Sequence, residues 1–307
     1  MKILIATQKP FAAVAVAGIK KILTEAGHSV DTLEKYAEQA DFVKAVAPYD
    51  ALIIRSDKVT SEVIAAAPNL KIVVRAGAGV DNVDLEAASA RKIVVMNTPG
   101  QNSNAVAELV IAMMIFMSRG QFTPGTGSEI IGKKIGVQGY GNAGRLVGKK
   151  AAALGMSVMA IDPFIPAEKI REMGAEPAKD LKELYKSCDF ISIHIPATPE
   201  TIKSIGYDLA MSMPKGACLV NAARKEVIDE EGLVKALEER EDLKYIADLL
   251  LDDYDAVKAK LGNRIFATPK KMGAQTAEAN INAGIAAANQ IADFFGKGIT
   301  KFQVNKW

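Results

Sequence analysis

Cysteine, histidine and tryptophan are scarce in this chain of 307 residues, which holds two Cys, two His and one Trp. Two cysteines, Cys188 and Cys218, cannot build a disulfide framework or a four-ligand zinc site. They fall at the starts of expected strands and read as small buried hydrophobes. Two histidines, His28 and His194, leave little material for a His-based metal site or triad, so no metal is expected. No charge of one sign dominates: Lys plus Arg is 38, Asp plus Glu is 36, and the net charge is +2. That excludes a dedicated polyanion binder, which needs a large unbalanced positive field. The longest apolar run, 109–117, is too short to span a bilayer. Residues 1–7 read as a strand with no cleavable signal behind them. The expectation is a cytoplasmic protein with no nucleic-acid or membrane partner.

Hydrophobic residues make up 49% of the chain and charged residues 24%, the balance of a soluble globular protein. At ~150 residues per domain the length suggests two domains. Short apolar runs alternate with segments of helical period. Strands are expected at 2–6, 50–55, 71–75 and 92–96, with helices at 11–26, 61–67 and 84–90. The alternation repeats with strands at 134–138, 157–161, 190–194, 217–221, 244–248 and 264–268. Helices are expected there near 142–154, 167–173, 229–238 and 276–295. Near-continuous apolar strands between helices imply parallel sheets covered on both faces, hence two doubly wound α/β domains. One long apolar helix, 102–118, joins them. It reads as either an interdomain core or a dimer contact. The segment 119–132, with four glycines and a proline, reads as a surface loop.

The most informative local stretch is Lys134-Ile135-Gly136-Val137-Gln138-Gly139-Tyr140-Gly141-Asn142-Ala143-Gly144-Arg145. A strand runs into three glycines and an apolar helix follows. That is the dinucleotide-binding spacing in its proper context. Gly139 permits the tight turn, Gly141 lets backbone approach a pyrophosphate, and Gly144 lets the helix pack close to the sheet. The start of the helix, Asn142 and Ala143, then offers N–H groups and a positive dipole end to phosphate. A second strand ends at Asp162, 23 positions after Gly139. An acid there accepts hydrogen bonds from the adenosine ribose and repels a 2′-phosphate, so NAD is favoured over NADP. Hydride transfer also needs a surface that excludes water from the nicotinamide. The first ~100 residues are the natural lid, with the helix after Thr276 returning to them.

Further stretches carry a family resemblance. These are Arg55-Ser56 before Val59-Thr60, Arg75 to Asp84 with its Gly77-Ala78-Gly79 loop, and Asn97-Thr98-Pro99-Gly100. Then come the glycine fingerprint, His194-Ile195-Pro196 with Thr201, Asn221-Ala222-Ala223-Arg224, and Ala247-Asp248. Nearly end to end the chain resembles the D-isomer-specific 2-hydroxyacid dehydrogenases. The stretch 75–84 tilts the match toward members acting on D-3-phosphoglycerate. The resemblance implies a Rossmann NAD-binding domain, 98–275, inserted in a flavodoxin-like lid and substrate domain, 1–97 plus 276–307. It implies NAD, a phosphorylated hydroxy acid as small-molecule partner, a homodimer, and a short form without a C-terminal regulatory domain. The implied reaction is oxidation of D-3-phosphoglycerate to 3-phosphohydroxypyruvate, the first committed step toward serine.

The resemblance also assigns residues. Arg224 would grip the substrate carboxylate and polarise the C2 oxygen, and Lys225 stands where the family usually has glycine. Gly139, Gly141, Asn142, Ala143, Gly144, Asp162, His194, Pro196, Thr201, Ala222, Asp248 and Gly273 fall at cofactor-lining positions. Asp248 corresponds to a contact with the nicotinamide amide. Arg55, Ser56, Gly77, Ala78 and Gly79 resemble the phosphoglycerate surface, where glycine-loop N–H groups, Arg55 and Lys58 could take a phosphate.

The family's proton-shuttling histidine is absent. The stretch Thr268-Pro269-Lys270-Lys271-Met272-Gly273 has one residue extra. Counting back from Gly273 selects Lys271; counting forward from Pro269 selects Lys270. Spacing to the glycine favours Lys271, and the chain is similar to a lysine-bearing branch of short members. Lysine titrates near ~10.4 and histidine near ~6.5. A lysine base must therefore be depressed by burial or by positive neighbours, and the oxidative direction should run best at alkaline pH. The family's partner glutamate maps to Asp253, one methylene shorter; a solvated loop acid is an equal reading. Two other functions stay open. One is a dehydrogenase of another D-2-hydroxy acid, such as a glyoxylate or hydroxypyruvate reductase. The other is a non-catalytic, NAD-sensing, corepressor-like protein.

Overall fold

In the computed structural model, which describes residues 1–307, strands and helices alternate along the chain. The first part runs β1 (Lys2–Thr7), α1 (Ala13–Glu25), β2 (Ser29–Glu34), α2 (Gln39–Ala45), β3 (Ala51–Ile54), α3 (Ser61–Ala66), β4 (Ile72–Arg75), α4 (Leu85–Ala90) and β5 (Val94–Asn97). It continues with α5 (Ser103–Ser118), β6 (Lys134–Gln138), α6 (Asn142–Ala153), β7 (Ser157–Ile161), α7 (Ala167–Glu172), β8 (Glu176–Pro177), α8 (Leu181–Ser187), β9 (Phe190–Ile193) and α9 (Tyr207–Ser212). Then come β10 (Cys218–Asn221), α10 (Glu230–Glu239), β11 (Lys244–Ala247), α11 (Tyr254–Leu261), β12 (Ile265–Ala267) and α12 (Ala277–Lys297). The chain divides into two compact units, Met1–Asn102 with Thr276–Trp307, and Ser103–Gln275.

The first unit holds a five-stranded parallel sheet in the order β2-β1-β3-β4-β5. Successive strand residues point to opposite faces, and both faces are covered. Ile3, Ile5 and Ile53 meet Ala15 and Ile19 of α1 and Ala287 and Ile291 of α12. Leu4, Leu52 and Val73 meet Phe42, Val63 and Ala88 of α2 to α4. Small residues let α12 approach α1 closely: a Cβ at Gly284 would stand 2.9 Å from Ile19 Cδ1. The free edge of β5 is closed by the terminal segment. Val304 N–H donates to Val95 O (2.9 Å), and Asn305 Oδ1 accepts from Val95 N–H (2.9 Å). Strand β2 and helix α2 escape the sequence reading. β2 is an edge strand, Ser-Val-Asp-Thr-Leu-Glu, largely exposed and without the apolar run that marks its neighbours.

The second unit carries a seven-stranded parallel sheet, β12-β11-β10-β9-β6-β7-β8. The order reverses between β6 and β9, and in such sheets ligands bind outside the strand carboxyl ends at this switch point. Both sheets are wholly parallel and covered on both faces, as the doubly wound expectation requires. α5 packs chiefly within its own unit. Its Ala107, Val110, Met113, Met114 and Met117 pack with Ile135, Val137, Val220 and Ile246. Most of its apolar surface is the core of the second unit's own sheet. The short helices α8, α9 and α11 were not expected. Each is eight residues or fewer, below the length at which helical period is legible. No helix is long and apolar enough to cross a membrane.

Candidate active site

The turn after β6 is built by glycine for three different reasons. Gly139 has φ +89°, and a Cβ there would lie 2.7 Å from the His194 carbonyl oxygen. The turns after β6 and β9 are thus pressed together at the switch point. At Gly144 a Cβ would lie 2.0 Å from the Gly139 carbonyl oxygen, so α6 packs directly on the turn. Gly141 is different. Its φ is −73°, and a Cβ would meet no atom within 4 Å. The protein itself does not need glycine at 141, whereas a pyrophosphate lying against this backbone would. No side chain caps α6, so the N–H groups of its first turn remain available to an anion. Asp162, at the end of β7, accepts hydrogen bonds from Tyr140 N–H (2.8 Å) and Phe164 N–H (2.9 Å). Each of its oxygens keeps a second lone pair for a ribose hydroxyl. These residues fit a dinucleotide.

His194 follows β9, and its Nε2 shares a 2.8 Å hydrogen bond with Ser192 Oγ. Burial lowers its pKa to about 4, although the residue as a whole keeps some exposure. The ring is neutral at ordinary pH, which suits packing and not proton transfer. Thr201 holds the next turn by donating to Pro196 O (2.6 Å) and accepting from Thr198 N–H (2.7 Å).

The chemistry-bearing groups gather at the carboxyl ends of β10, β11 and β12. Arg224 lies three residues past the end of β10, and its Nη1 donates to Ala223 O (3.0 Å). Lys271, on the loop after β12, donates to the same oxygen from Nζ (3.4 Å). Two cations therefore share one carbonyl. Their separation cannot exceed the two hydrogen bonds laid end to end. Nε and Nη2 of Arg224 carry no hydrogen bond to the protein, which leaves a two-pronged face for a carboxylate. Lys270 and Lys271 are both exposed, and Lys270 makes no such contact.

Asp248, one residue past β11, is 1% exposed. Its Oδ1 accepts from Thr268 Oγ1 (2.8 Å) and Met272 N–H (2.7 Å), and its Oδ2 from Gly273 N–H (2.7 Å). The sequence reading pointed this carboxylate at the nicotinamide amide. The structure uses it to fasten the loop that carries Lys271, because the two loop amides turn inward and a buried acceptor must meet them. Ala222 is buried beside this turn, and Gly273 touches Asp248.

Asp253 is the residue the structure leaves apart. It is exposed at the head of α11 and takes part in none of the ion pairs. Its neighbour Asp252 instead pairs with Lys225, which also meets Glu230 (3.4 Å). The lysine that stands in place of the family's glycine thus draws this acidic loop toward itself.

In the first unit, the Arg55 guanidinium is engaged within the protein. Nη1 donates to Lys9 O and Pro10 O (both 3.0 Å), Nη2 to Asn280 Oδ1, and the group lies 5.2 Å from the Phe11 ring centre. These bonds tie the end of β3 to the loop after β1 and to α12. Arg75 stands at the end of the neighbouring strand β4. It lines an open depression with Ser56, Lys58, Thr60, Ser61 and Asn82. Its Nε donates to Arg55 O (3.0 Å), and its guanidinium crosses Gly77, where a Cβ would come within 1.7 Å. Ala78 O accepts from Asn97 Nδ2 (2.6 Å), fixing the 77–79 loop. Asp57, missed in the sequence, is 4% exposed. It accepts from Gln8 N–H, Arg55 N–H and Tyr36 Oη (2.6, 3.1 and 2.7 Å) and so shapes the floor of this end of the sheet. Arg75 and Asp57 share one signal: a charged residue at or just beyond an apolar parallel strand.

The chain matches known proteins over nearly its whole length. The sequence model described as D-isomer specific 2-hydroxyacid dehydrogenase, catalytic domain, matches residues 10–305. D-3-phosphoglycerate dehydrogenase of Methanocaldococcus jannaschii is 38% identical over 290 residues, covering 88% of this chain and 54% of that protein. The enzyme of the same name from Archaeoglobus fulgidus is 38% identical over 280 residues, covering 84% and 52%. The chain spans about half the length of these curated relatives. Among solved structures, NAD+-bound 3-phosphoglycerate dehydrogenase of Entamoeba histolytica matches with a TM-score of 0.89 and 49% identity, covering 100% of this chain and 99% of that one. D-2-hydroxyisocaproate dehydrogenase, at 20% identity and a TM-score of 0.82, covers 100% of both chains and shares the fold.

Proposed function

Because the chain belongs to the D-isomer specific 2-hydroxyacid dehydrogenase family, we propose that it oxidises D-3-phosphoglycerate to 3-phosphohydroxypyruvate with NAD. The observation that carries this reading is the convergence of Arg224 and Lys271 on the Ala223 carbonyl. The Entamoeba protein, 49% identical, supports the choice of substrate and cofactor.

When bound, NAD supplies the acceptor for the hydride leaving C2. The chain's own groups do the rest. Arg224 holds the substrate carboxylate through Nε and Nη2 and polarises the C2 oxygen, where negative charge develops. Lys271 Nζ takes the C2 hydroxyl proton in the oxidative direction and returns it in the reductive one. Arg224 is permanently charged and shares a carbonyl with Lys271, so it works against a second positive charge on that nitrogen. The turn at Gly139 to Gly144 and Asp162 hold the dinucleotide backbone and ribose. His194, Pro196 and Thr201 border it. The depression at Ser56, Lys58 and Arg75 is assigned to recognition of a phosphate. We also assign the protein to the cytoplasm, where its two buried free thiols stay reduced, and a homodimer as its assembly by analogy with symmetric soluble enzymes.

The test is the initial rate of NAD reduction with D-3-phosphoglycerate in wild type, Lys271→Ala and Lys270→Ala. Activity lost only with Lys271 supports the assignment. NAD binding without turnover of any hydroxy acid would overturn it in favour of a sensing protein. Turnover of glyoxylate or hydroxypyruvate alone would move the substrate.

A further inference from the structure

We propose that Asn221 is a positioning residue for the reaction, acting through Arg224; this rests on the substrate-gripping role given to Arg224 above. Asn221 is the last residue of β10, a central strand flanked by β9 and β11, and it is 3% exposed. Nothing in the family resemblance assigns its side chain a role.

The amide bridges the turn that follows the strand. Oδ1 accepts from Ala223 N–H (3.0 Å), and Nδ2 donates to Arg224 O (2.9 Å). One side chain thus fixes the Ala222–Ala223 and Arg224–Lys225 peptides, which flank the peptide between Ala223 and Arg224. The backbone of Arg224 is extended, with φ −137° and ψ 142°, and caps the single 3-10 turn Lys225–Val227. The bond from Asn221 is the one side-chain hydrogen bond its carbonyl receives. Asn221 is itself immobile. Its carbonyl accepts from Asp248 N–H (2.9 Å), and the side chain is buried in the sheet.

The requirement is specific to asparagine. The turn presents one donor, Ala223 N–H, and one acceptor, Arg224 O, to the same buried group. A carboxylate has no donor and would set an oxygen against Arg224 O. Alanine or leucine would leave the Ala223 N–H unsatisfied and take one partner from Arg224 O. The Ala223 carbonyl, on which Arg224 and Lys271 meet, lies inside the bridged turn. Asn221 therefore fixes the shared acceptor as well as the arginine's point of departure. Displacing a substrate-holding group by about 1 Å costs about a hundredfold in rate.

The experiment is a double-mutant cycle on the whole chain. Rates of D-3-phosphoglycerate oxidation are measured for wild type, Asn221→Ala, Arg224→Ala and the double variant. Isothermal calorimetry of oxalate, with NADH present, supplies a readout that needs no turnover, since oxalate offers a carboxylate beside a second anionic oxygen. Asn221→Ala should lower kcat/KM about a hundredfold, weaken oxalate at least tenfold, and change NADH affinity less than threefold. In the Arg224→Ala background it should add less than a twofold loss, because the two residues act as one. Asn221→Asp, of the same shape, should lose as much as alanine and is the working variant should alanine not fold. Losses that multiply independently, or wild-type kcat in either variant, overturn the proposal. If wild type turns over no hydroxy acid while oxalate binding still needs both residues, the function reading falls and the positioning role stands. If wild type is active and the cycle is additive, the reverse holds.

Discussion

Replacing Asp248 by asparagine tests how the Lys271 loop is held. The two side chains have the same shape, so no cavity opens and only charge and one acceptor change. The carboxylate receives two donors on Oδ1 and one on Oδ2, all at 2.7–2.8 Å. With the amide oxygen in the Oδ1 place, Thr268 and Met272 keep an acceptor, and the amide nitrogen then faces Gly273 N–H. Each retained bond falls from the charge-assisted to the neutral class, a loss of about 1 kcal/mol, and a buried N–H left unpaired costs about 1–3 kcal/mol more. The sum is about 4 kcal/mol, directed at residues 268–273 and not at the strands beneath. The loop should therefore open locally while the sheet remains folded. Amide hydrogen exchange at Met272 and Gly273 should accelerate about a thousandfold, at about 1.4 kcal/mol per decade. The amides of β10 and β11 should exchange within a few-fold of wild type, and kcat should fall with the freed Lys271. Unchanged exchange at Met272 and Gly273 would refute the reasoning, whatever happens to the rate.

Five further outcomes follow from the same kind of argument. Gly144→Ala, whose Cβ would press on the Gly139 carbonyl at 2.0 Å, should destabilise the second unit by about 3 kcal/mol in urea melts. Gly141→Ala should leave those melts unchanged and weaken ADP-ribose binding instead; undiminished binding would defeat the pyrophosphate assignment. Arg55→Ala, which removes the bonds to Lys9, Pro10 and Asn280, should lower stability by about 2–4 kcal/mol, whereas Lys58→Ala should raise KM for D-3-phosphoglycerate at unchanged stability. The reverse pattern would restore Arg55 as the phosphate ligand. His194, with its pKa lowered to about 4 by burial, binds its proton first in the unfolded chain as pH falls below about 6.5. Its contribution is thus intact above that pH and is lost on descent toward 4. Between pH 7 and 5 the loss is at most about 2 kcal/mol, less for a residue that keeps some exposure. Urea midpoints of wild type and His194→Gln should diverge in slope across that window, and parallel slopes would contradict it.

The nucleotide half of the site is legible in the sequence because it is local. Strand, three glycines, helix, strand and acid occupy one stretch from Lys134 to Asp162, and each residue's reason can be stated from its own neighbours. Arg224 is legible for a related cause, since it follows an apolar parallel strand at the end where ligands bind. The commitments of Arg55 and Asp248 are not legible. Arg55 is spent on Asn280, 225 positions away, and only the packed fold brings them together. Asp248 looks identical in sequence whether its carboxylate faces a ligand or two inward-turned amides. Edge strand β2 is hidden because one neighbour and an exposed surface ask for no apolar run. Asn221 stands in plain view beside Arg224, yet its bridging amide depends on the path of a turn that no local pattern dictates.

The first unit is discontinuous: its sheet is complete by Asn97, but the helix that covers one face is α12, about 180 residues later. On a ribosome adding about 5–20 residues per second, that gap lasts roughly 10–40 s. Throughout it, α1 and the α12-facing side of Ile3, Ile5 and Ile53 lack their partner, and β5 lacks the segment that closes its edge. The inserted second unit has no such delay, since all its strands and helices lie between Ser103 and Gln275. Synthesis order thus favours a nascent chain whose second unit is finished while its first-made unit still waits. The exposed β5 edge and apolar sheet face make that waiting half the part most in need of a chaperone.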